Sequence, residues 1–273
     1  FPPGFNGLAT TPPLGWRSWN AYGNRVSQTL MMSAMDALAA PTWTVEGKNN
    51  VSLRDVGYTI AGVDEGWEGC GQGVNGTQHD VAGNPVVNSK FPDLKGLVDY
   101  GHKAGLQVGF YENGCACGER RELMQNYQGD VRVLHAMGFD GVKLDACSQF
   151  NNLTRWNTLI NATGRPMYFI ACYDRWQHGG VPRPGFRPPW EFMHPVANAY
   201  RLTGDHHDNW AQLAAEIEMN ANAAEHSVHG SFGDFDFLIT GGEGCVPPGP
   251  PPPGGGPPGG GRPGVRCPNM TQA

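Results

Sequence analysis

No stretch of this chain approaches the ~18–20 consecutive apolar residues that a membrane-spanning helix needs, so no membrane partner is expected. There is no surplus of basic residues either: the 273 residues carry a formal net charge of −6 and a sequence pI near 5.8. Nucleic-acid binding would require a positive face, and none is implied. No G-x-G-x-x-G opens a helix after a strand, so the dinucleotide signature of doubly wound sheets is missing. Clustered metal ligands are missing as well. Cys115-Ala-Cys117 lacks companion histidines, and His206-His207-Asp208 reads as a loop after a strand end. No metal and no cofactor is therefore expected.

What is present points to the secretory route, extracellular or vacuolar/lysosomal. Five acceptor sequons for N-glycosylation occur, at Asn50, Asn75, Asn152, Asn161 and Asn269. The seven cysteines (70, 115, 117, 147, 172, 245, 267) are compatible with disulfides, and their odd number leaves at least one unpaired within the chain. The sequence opens on Phe1 rather than Met, in keeping with a signal peptide that is removed or not included.

The length suits one α/β barrel or two smaller domains. Short apolar runs recur near residue 14 and over 58–67, 105–114, 138–147, 165–174, 198–205 and 229–240, with helix-like segments between them. Ser27 is a capping candidate for a helix to Ala40, in which Leu30, Ala34 and Leu38 repeat at helical spacing. Residues 94–104, 119–137 and 208–226 read similarly. Strand alternating with helix means a parallel sheet with right-handed crossovers. Polar residues collect where the runs end: Asp64-Glu65, Tyr111-Glu112, Asp145, Asp174, Asp205 and Asp234 to Asp236. That is the layout of the active face of a (β/α)8 barrel. The runs number seven rather than eight. Beyond Cys245 a Pro/Gly-rich tract cannot bury a core. The expected organisation is an incomplete catalytic barrel over 1–245, followed by a Pro/Gly-rich tail or loop over 246–273.

Within Gly138 to Cys147 (GFDGVKLDAC), Lys143 and Asp145 interrupt an otherwise buried strand and share one of its faces. Opposite charges in such a place are paired or used. Glycoside hydrolysis commonly uses two carboxyls flanking the anomeric carbon. A lysine beside Asp145 favours the ionised state that a nucleophile needs, while a carboxyl on another strand can hold the proton for a leaving group. Spacing alone leaves Asp205 and Asp234 open for that second role.

Five ordered motifs then carry a resemblance to glycoside hydrolase family 27, the α-galactosidase and α-N-acetylgalactosaminidase family. Thr11-Pro-Pro-Leu-Gly-Trp-Arg-Ser-Trp-Asn20 resembles its T-P-P-M-G-W-N-S-W-N opening, and Val63-Asp-Glu-Gly-Trp67 its D-D-C/G-W. Lys143-Leu-Asp-Ala-Cys147 is similar to K-x-D-x-C. Arg201-Leu-Thr-Gly-Asp205 with Trp210 is similar to R-x-x-x-D-x-x-x-x-W, and Gly233-Asp-Phe-Asp236 stands where W-N-D-P-D is usual. The resemblance implies a (β/α)8 barrel whose last strand and helix units and C-terminal β-sandwich are missing here. It also implies retaining hydrolysis of terminal α-galactosyl residues from a galactose-containing oligosaccharide or glycoconjugate. Asp145 would be the nucleophile and Asp205 the acid/base. Trp19, Asp64, Lys143 and Tyr111 would surround the sugar, Arg201 its 2-hydroxyl, and Asp236 would support the site. Cys147 would pair with Cys115 or Cys117, and Cys245 with Cys267 would clasp the Pro/Gly tract.

Two departures bear on specificity. Glu65 stands where the family has a second aspartate, giving roughly 1.3 Å of extra reach toward the region around the 4- and 6-hydroxyls. This would crowd a hydroxymethyl group and favour β-L-arabinopyranose, which lacks it. Cys172-Tyr-Asp-Arg-Trp176 replaces C-E-W, leaving the 2-hydroxyl contact between Asp174 and its neighbours. An inactive sugar-binding remnant of such an enzyme is the competing expectation.

Overall fold

The computed structural model describes residues 5–119, 123–145, 152–172, 193–206 and 210–238. Strands β1 (Gly15–Arg17), β4 (Ile60–Gly62), β5 (Gln107–Glu112), β6 (Gly141–Leu144), β7 (Tyr168–Cys172), β8 (Ala199–Arg201) and β9 (Phe232–Asp234) form one parallel sheet in chain order. Six of them lie within the apolar runs of the sequence, and β1 overlaps the first, extending one residue past it to Arg17. The segment after Leu238, including the Pro/Gly tract, lies outside the described residues. A short antiparallel hairpin, β2 (Trp43–Val45) and β3 (Lys48–Val51), adds a separate two-stranded sheet. No apolar run of the sequence marks it. Its turn, Glu46-Gly47, has both φ angles positive, at 49° and 80°, the conformation that a tight hairpin favours.

The helices are α1 (Trp19–Tyr22), α2 (Gln28–Ala39), α3 (Leu94–Lys103), α4 (Met124–Met137), α5 (Leu153–Ala162) and α6 (Trp210–Ala223). Their ends have local causes. The Ser27 hydroxyl accepts from the Leu30 amide at 3.2 Å, as its sequence position suggested. Asp93 accepts from Gly96 at 2.8 Å and Asn152 from Arg155 at 3.0 Å. Gly138, with φ 88°, ends α4, a backbone position at which a side chain would be strained. Helix α4 starts later than the expected residue 119, at Met124, because its N-cap Leu123 is extended (φ −112°, ψ 125°). Helix α5 is not among the helices expected from the sequence.

Crossover helices bury one stripe against the sheet. Met31 and Met35 of α2, Leu97 and Val98 of α3, and Val131 and Leu134 of α4 join Val108, Phe110 and Val142 in one continuous core. Phe110 lies with its ring centroid 4.7 Å from both Trp67 and Phe139. Each such ring contributes about 1.5–3 kcal/mol by burial. The register sets the site: Tyr111 lies opposite Lys143, Cys172 opposite Arg201, and Arg201 opposite Asp234. Among the described residues no ladder joins β9 to β1. Asn20 Nδ2 donates to the Phe237 carbonyl at 3.0 Å, and Gly230 N–H donates to the Ala9 carbonyl at 2.8 Å, so contacts bridge the two edge strands.

Candidate active site

The polar residues at the C-terminal strand ends converge. Lys143 on β6 projects inward and donates from Nζ to Asp64 Oδ2, just beyond β4, at 2.9 Å; both side chains are buried. The Arg17 Nε lies 3.9 Å from the same oxygen. The lysine is also 5.1 Å from the centroid of the Tyr111 ring and 4.7 Å from that of Phe237, placing its charge against both faces. Burial works against the ammonium, but Asp64, with Asp145 contributing, outweighs it and holds Lys143 above its ordinary pKa. Asp64 is further fixed by its own N–H, which donates to the Ser18 hydroxyl at 3.0 Å.

Asp145 follows β6, and its N–H donates to the Glu112 carbonyl at 2.8 Å. Its Oδ2 accepts a 2.7 Å hydrogen bond from the Tyr111 hydroxyl. That hydroxyl oxygen accepts from Asn113 Nδ2 at 3.2 Å and stands 3.4 Å from Glu65 Oε2. The Glu65 carboxyl is held above its ordinary pKa by desolvation first, then by the charges of Asp145 and Asp64.

A second cluster is centred on Arg201 at the end of β8. Its guanidinium contacts Asp205 Oδ1 at 2.9 Å and Asp236 Oδ1 at 3.4 Å. Arg201 is buried, whereas the Asp205 carboxyl is well exposed. Asp236 occupies a left-handed backbone position, φ 79°, unusual for a residue with a side chain. Three contacts hold it there. Its N–H donates to Asp234 Oδ1 at 2.9 Å, one carboxylate oxygen accepts from the His206 N–H at 2.8 Å, and the other faces Arg201. Trp19 opens α1 immediately after β1 and is half-buried. Asp174 lies outside the described residues.

Three features escaped the sequence reading. Arg17, at the end of β1, extends through the sheet interior and donates from Nη1 to the Val63 carbonyl at 2.5 Å and the Phe110 carbonyl at 3.2 Å. Room exists because Gly62 has no side chain: a Cβ there would sit 2.7 Å from the guanidinium carbon. Cys172 is a buried free thiol, pushed up to about 12 chiefly by desolvation. On the outer side of the sheet, His79 is clamped between Glu119 (Nδ1–Oε1, 2.6 Å) and Asp130 (Nε2–Oδ1, 2.8 Å). Nearby, Glu112 is buried with neither carboxyl oxygen hydrogen-bonded among the described residues, and Glu68 is raised to about 7, mainly by desolvation.

One expected pairing needs correction. Cys117 is bonded to Cys70, which the loop between β4 and α3 brings to a Cα–Cα distance of 4.9 Å. A sulfur makes one disulfide, so Cys117 is not the partner of Cys147. Cys115 is also disulfide-bonded. Cys147, Cys245 and Cys267 lie outside the described residues.

A parallel β/α sheet with carboxylates gathered at its C-terminal edge defines part of a (β/α)8 barrel of the glycosidase kind. Comparison with known proteins makes this specific. Residues 11–246 match the family described as Alpha galactosidase A, Melibiase_2. A probable alpha-galactosidase of Dictyostelium discoideum is 32% identical over 247 residues, covering 88% of this chain and 57% of that protein. An alpha-galactosidase of Oryza sativa subsp. japonica is 27% identical over 249 residues, covering 88% and 53% respectively. In structure, the chain resembles alpha-galactosidase I from Mortierella vinacea with a TM-score of 0.69 at 24% identity, covering 88% of this chain and 62% of that one. A GH27 β-L-arabinopyranosidase from Geobacillus stearothermophilus gives a TM-score of 0.66 at 20% identity, with coverages of 84% and 61%. These structural likenesses show the fold. The chain belongs to the alpha-galactosidase A family of glycoside hydrolases, and it spans about half the length of the curated relatives it matches.

Proposed function

We propose that this site hydrolyses terminal α-D-galactosyl residues from a galactose-containing oligosaccharide or glycoconjugate, with retention of anomeric configuration. The observation that carries the reading is the pairing of two differently set carboxylates at the mouth of one sheet. Asp145 is fixed by the Tyr111 hydroxyl, and Asp205 is exposed but held by buried Arg201. In the first step an Asp145 oxygen attacks C1. The bond from C1 to the aglycone oxygen breaks, and Asp205 gives that oxygen its proton. In the second, Asp205 takes a proton from water as the water oxygen attacks C1, and Asp145 departs as carboxylate. Lys143 and Asp64 would hold sugar hydroxyls, Trp19 and Tyr111 would line the ring, and Arg201 with Asp174 would serve the 2-hydroxyl side. Asp236 would keep Arg201 in place.

The test is turnover of p-nitrophenyl α-D-galactoside by the chain and by Asp145→Asn. Hydrolysis by the former and its loss in the latter support the reading. Hydrolysis unchanged in Asp145→Asn would exclude it.

A second reading, β-L-arabinopyranosidase specificity, is favoured by Glu65, whose carboxyl reaches to 3.4 Å from the Tyr111 oxygen. A carboxyl extended that far leaves less space for a hydroxymethyl group. The ratio of kcat/KM for the α-D-galactoside and the β-L-arabinopyranoside should swing toward galactose in Glu65→Asp; an equal ratio removes this reading. A sugar-binding remnant without turnover is the remaining alternative, and it would bind galactose without forming a covalent adduct. Passage through the secretory route is part of the proposal, supported by the Cys70–Cys117 disulfide and by the exposed sequon residues Asn50 and Asn161.

A further inference from the structure

The Tyr111 hydroxyl has one proton and more neighbours than it can serve as donor. Asp145 Oδ2 at 2.7 Å takes that proton, since Glu65 Oε2 at 3.4 Å is the longer contact. The phenol oxygen is left as an acceptor, already used by Asn113 Nδ2 at 3.2 Å. An ionised Glu65 offers only acceptors to an oxygen whose hydrogen is committed elsewhere. A neutral Glu65 offers a donor.

We infer that Glu65 stands un-ionised in the free site and donates its proton to the Tyr111 oxygen, making a directed chain from Glu65 through Tyr111 to Asp145. This rests on the reading in which Asp145 is the nucleophile. It adds a role for Glu65 as a positioning residue: by polarising the phenol, it strengthens the hydrogen bond that orients Asp145. It also keeps a second negative charge away from the nucleophile.

The surrounding groups favour this arrangement. Glu65 faces Asp64 on its own strand end, Tyr111 on β5, Lys143 on β6 and Asp145 just after it, and Glu68 in the following loop. Lys143, the cation among them, donates one of its three N–H groups to Asp64 at 2.9 Å. Desolvation and the two aspartates push the Glu65 carboxyl upward, outweighing what Tyr111 and Lys143 contribute in the other direction.

The experiment compares kcat/KM against pH for the chain, Glu65→Gln, Tyr111→Phe and the double variant, on whichever nitrophenyl glycoside is turned over. Glutamine keeps an N–H donor for Tyr111 and cannot ionise. Its alkaline limb should therefore lie about one pH unit or more above that of the unmodified chain. In the Tyr111→Phe background the same substitution should shift the limb much less. An alkaline limb unmoved by Glu65→Gln would overturn the inference and assign the limb to Asp205 alone. A readout independent of turnover separates this from failure of the proposed reaction. Infrared pH-difference spectra of the unmodified chain should show the C=O band of a neutral carboxylic acid at neutral pH that Glu65→Gln lacks. Identical spectra for the two proteins mean that Glu65 is ionised, whether or not either glycoside is hydrolysed.

Discussion

The ammonium of Lys143 donates to Asp64 across 2.9 Å, joining residues 79 positions apart in the chain. Two residues away from the lysine, Asp145 receives its 2.7 Å hydrogen bond from Tyr111. The two charges that share one face of β6 thus serve two neighbouring strand ends. The lysine braces the carboxylate of Asp64 just beyond β4, and the phenol of β5 braces the candidate nucleophile.

Replacing Lys143 by methionine leaves Asp64 buried with Arg17 at 3.9 Å as its nearest described cation. Losing one partner of a buried pair costs about 3–5 kcal/mol, so urea unfolding should show a stability loss of that order, with kcat/KM falling alongside. A loss below about 1 kcal/mol would mean that Arg17 alone satisfies Asp64.

Stability should decline as pH rises from mild acid. Glu68 binds its proton more tightly when folded, about 7 against an ordinary 4.5, so its contribution is complete below about 4.5 and is lost as pH climbs through 7. Desolvation opposes the charge on His79, but its bonds to Asp130 and Glu119 prevail, raising it from 6.5 to about 10. Its contribution is complete below about 6.5 and disappears as pH passes through 10. The melting temperature should therefore fall between pH 5 and 9. Glu68→Gln should flatten the lower part of that decline and His79→Gln the upper part. A melting temperature that rises with pH over this range would contradict the assignment.

The Cys70–Cys117 disulfide closes a 47-residue separation and ties the loop after β4 to the turn after β5. Chain-entropy reasoning gives it a contribution of about 4 kcal/mol. The Cys70→Ser/Cys117→Ser double variant should unfold at correspondingly lower denaturant. Equal midpoints would show that the unfolded chain is already constrained there.

Removing the carboxyl of Asp205 should slow substrates with poor leaving groups by about 10²–10⁴. Nitrophenyl glycosides, whose leaving group needs little protonation, should suffer far less in the first step. The comparison is made on kcat/KM of Asp205→Ala for an alkyl and a nitrophenyl galactoside, which reads the first step and not the later one in which Asp205 acts as base. An equal loss on both would remove Asp205 from the acid role.

The sequence disclosed most of the sheet because each strand is a short apolar run with its polar residues at one end. The parallel register then follows from the crossover helices. The hairpin around Glu46-Gly47 escaped because its strands are mostly exposed and carry no apolar alternation toward a core. Helix α5 has only a three-residue buried stripe, Leu153, Trp156 and Ile160, which propensity alone does not announce. Within the site, motif residues were readable one by one, but their partners were not. Lys143 could be paired with Asp145 from spacing, whereas its bond to Asp64 depends on how β4 and β6 flank β5. His79 is 40 and 51 residues from its two carboxylates, and no local pattern encodes that clamp. For the same reason no spacing marks Cys70 as the partner of Cys117, and of the two expected partners of Cys147 only Cys115 stays open.

The proposed mechanism requires Asp145 to form a glycosyl ester during turnover. Incubation with a fluorinated galactosyl fluoride, followed by intact mass and peptide mapping, tests it directly. The expected result is one added fluorosugar per chain, located on Asp145 and absent from Asp145→Asn. A folded chain that binds galactose yet gains no mass, or gains it on another residue, would contradict it.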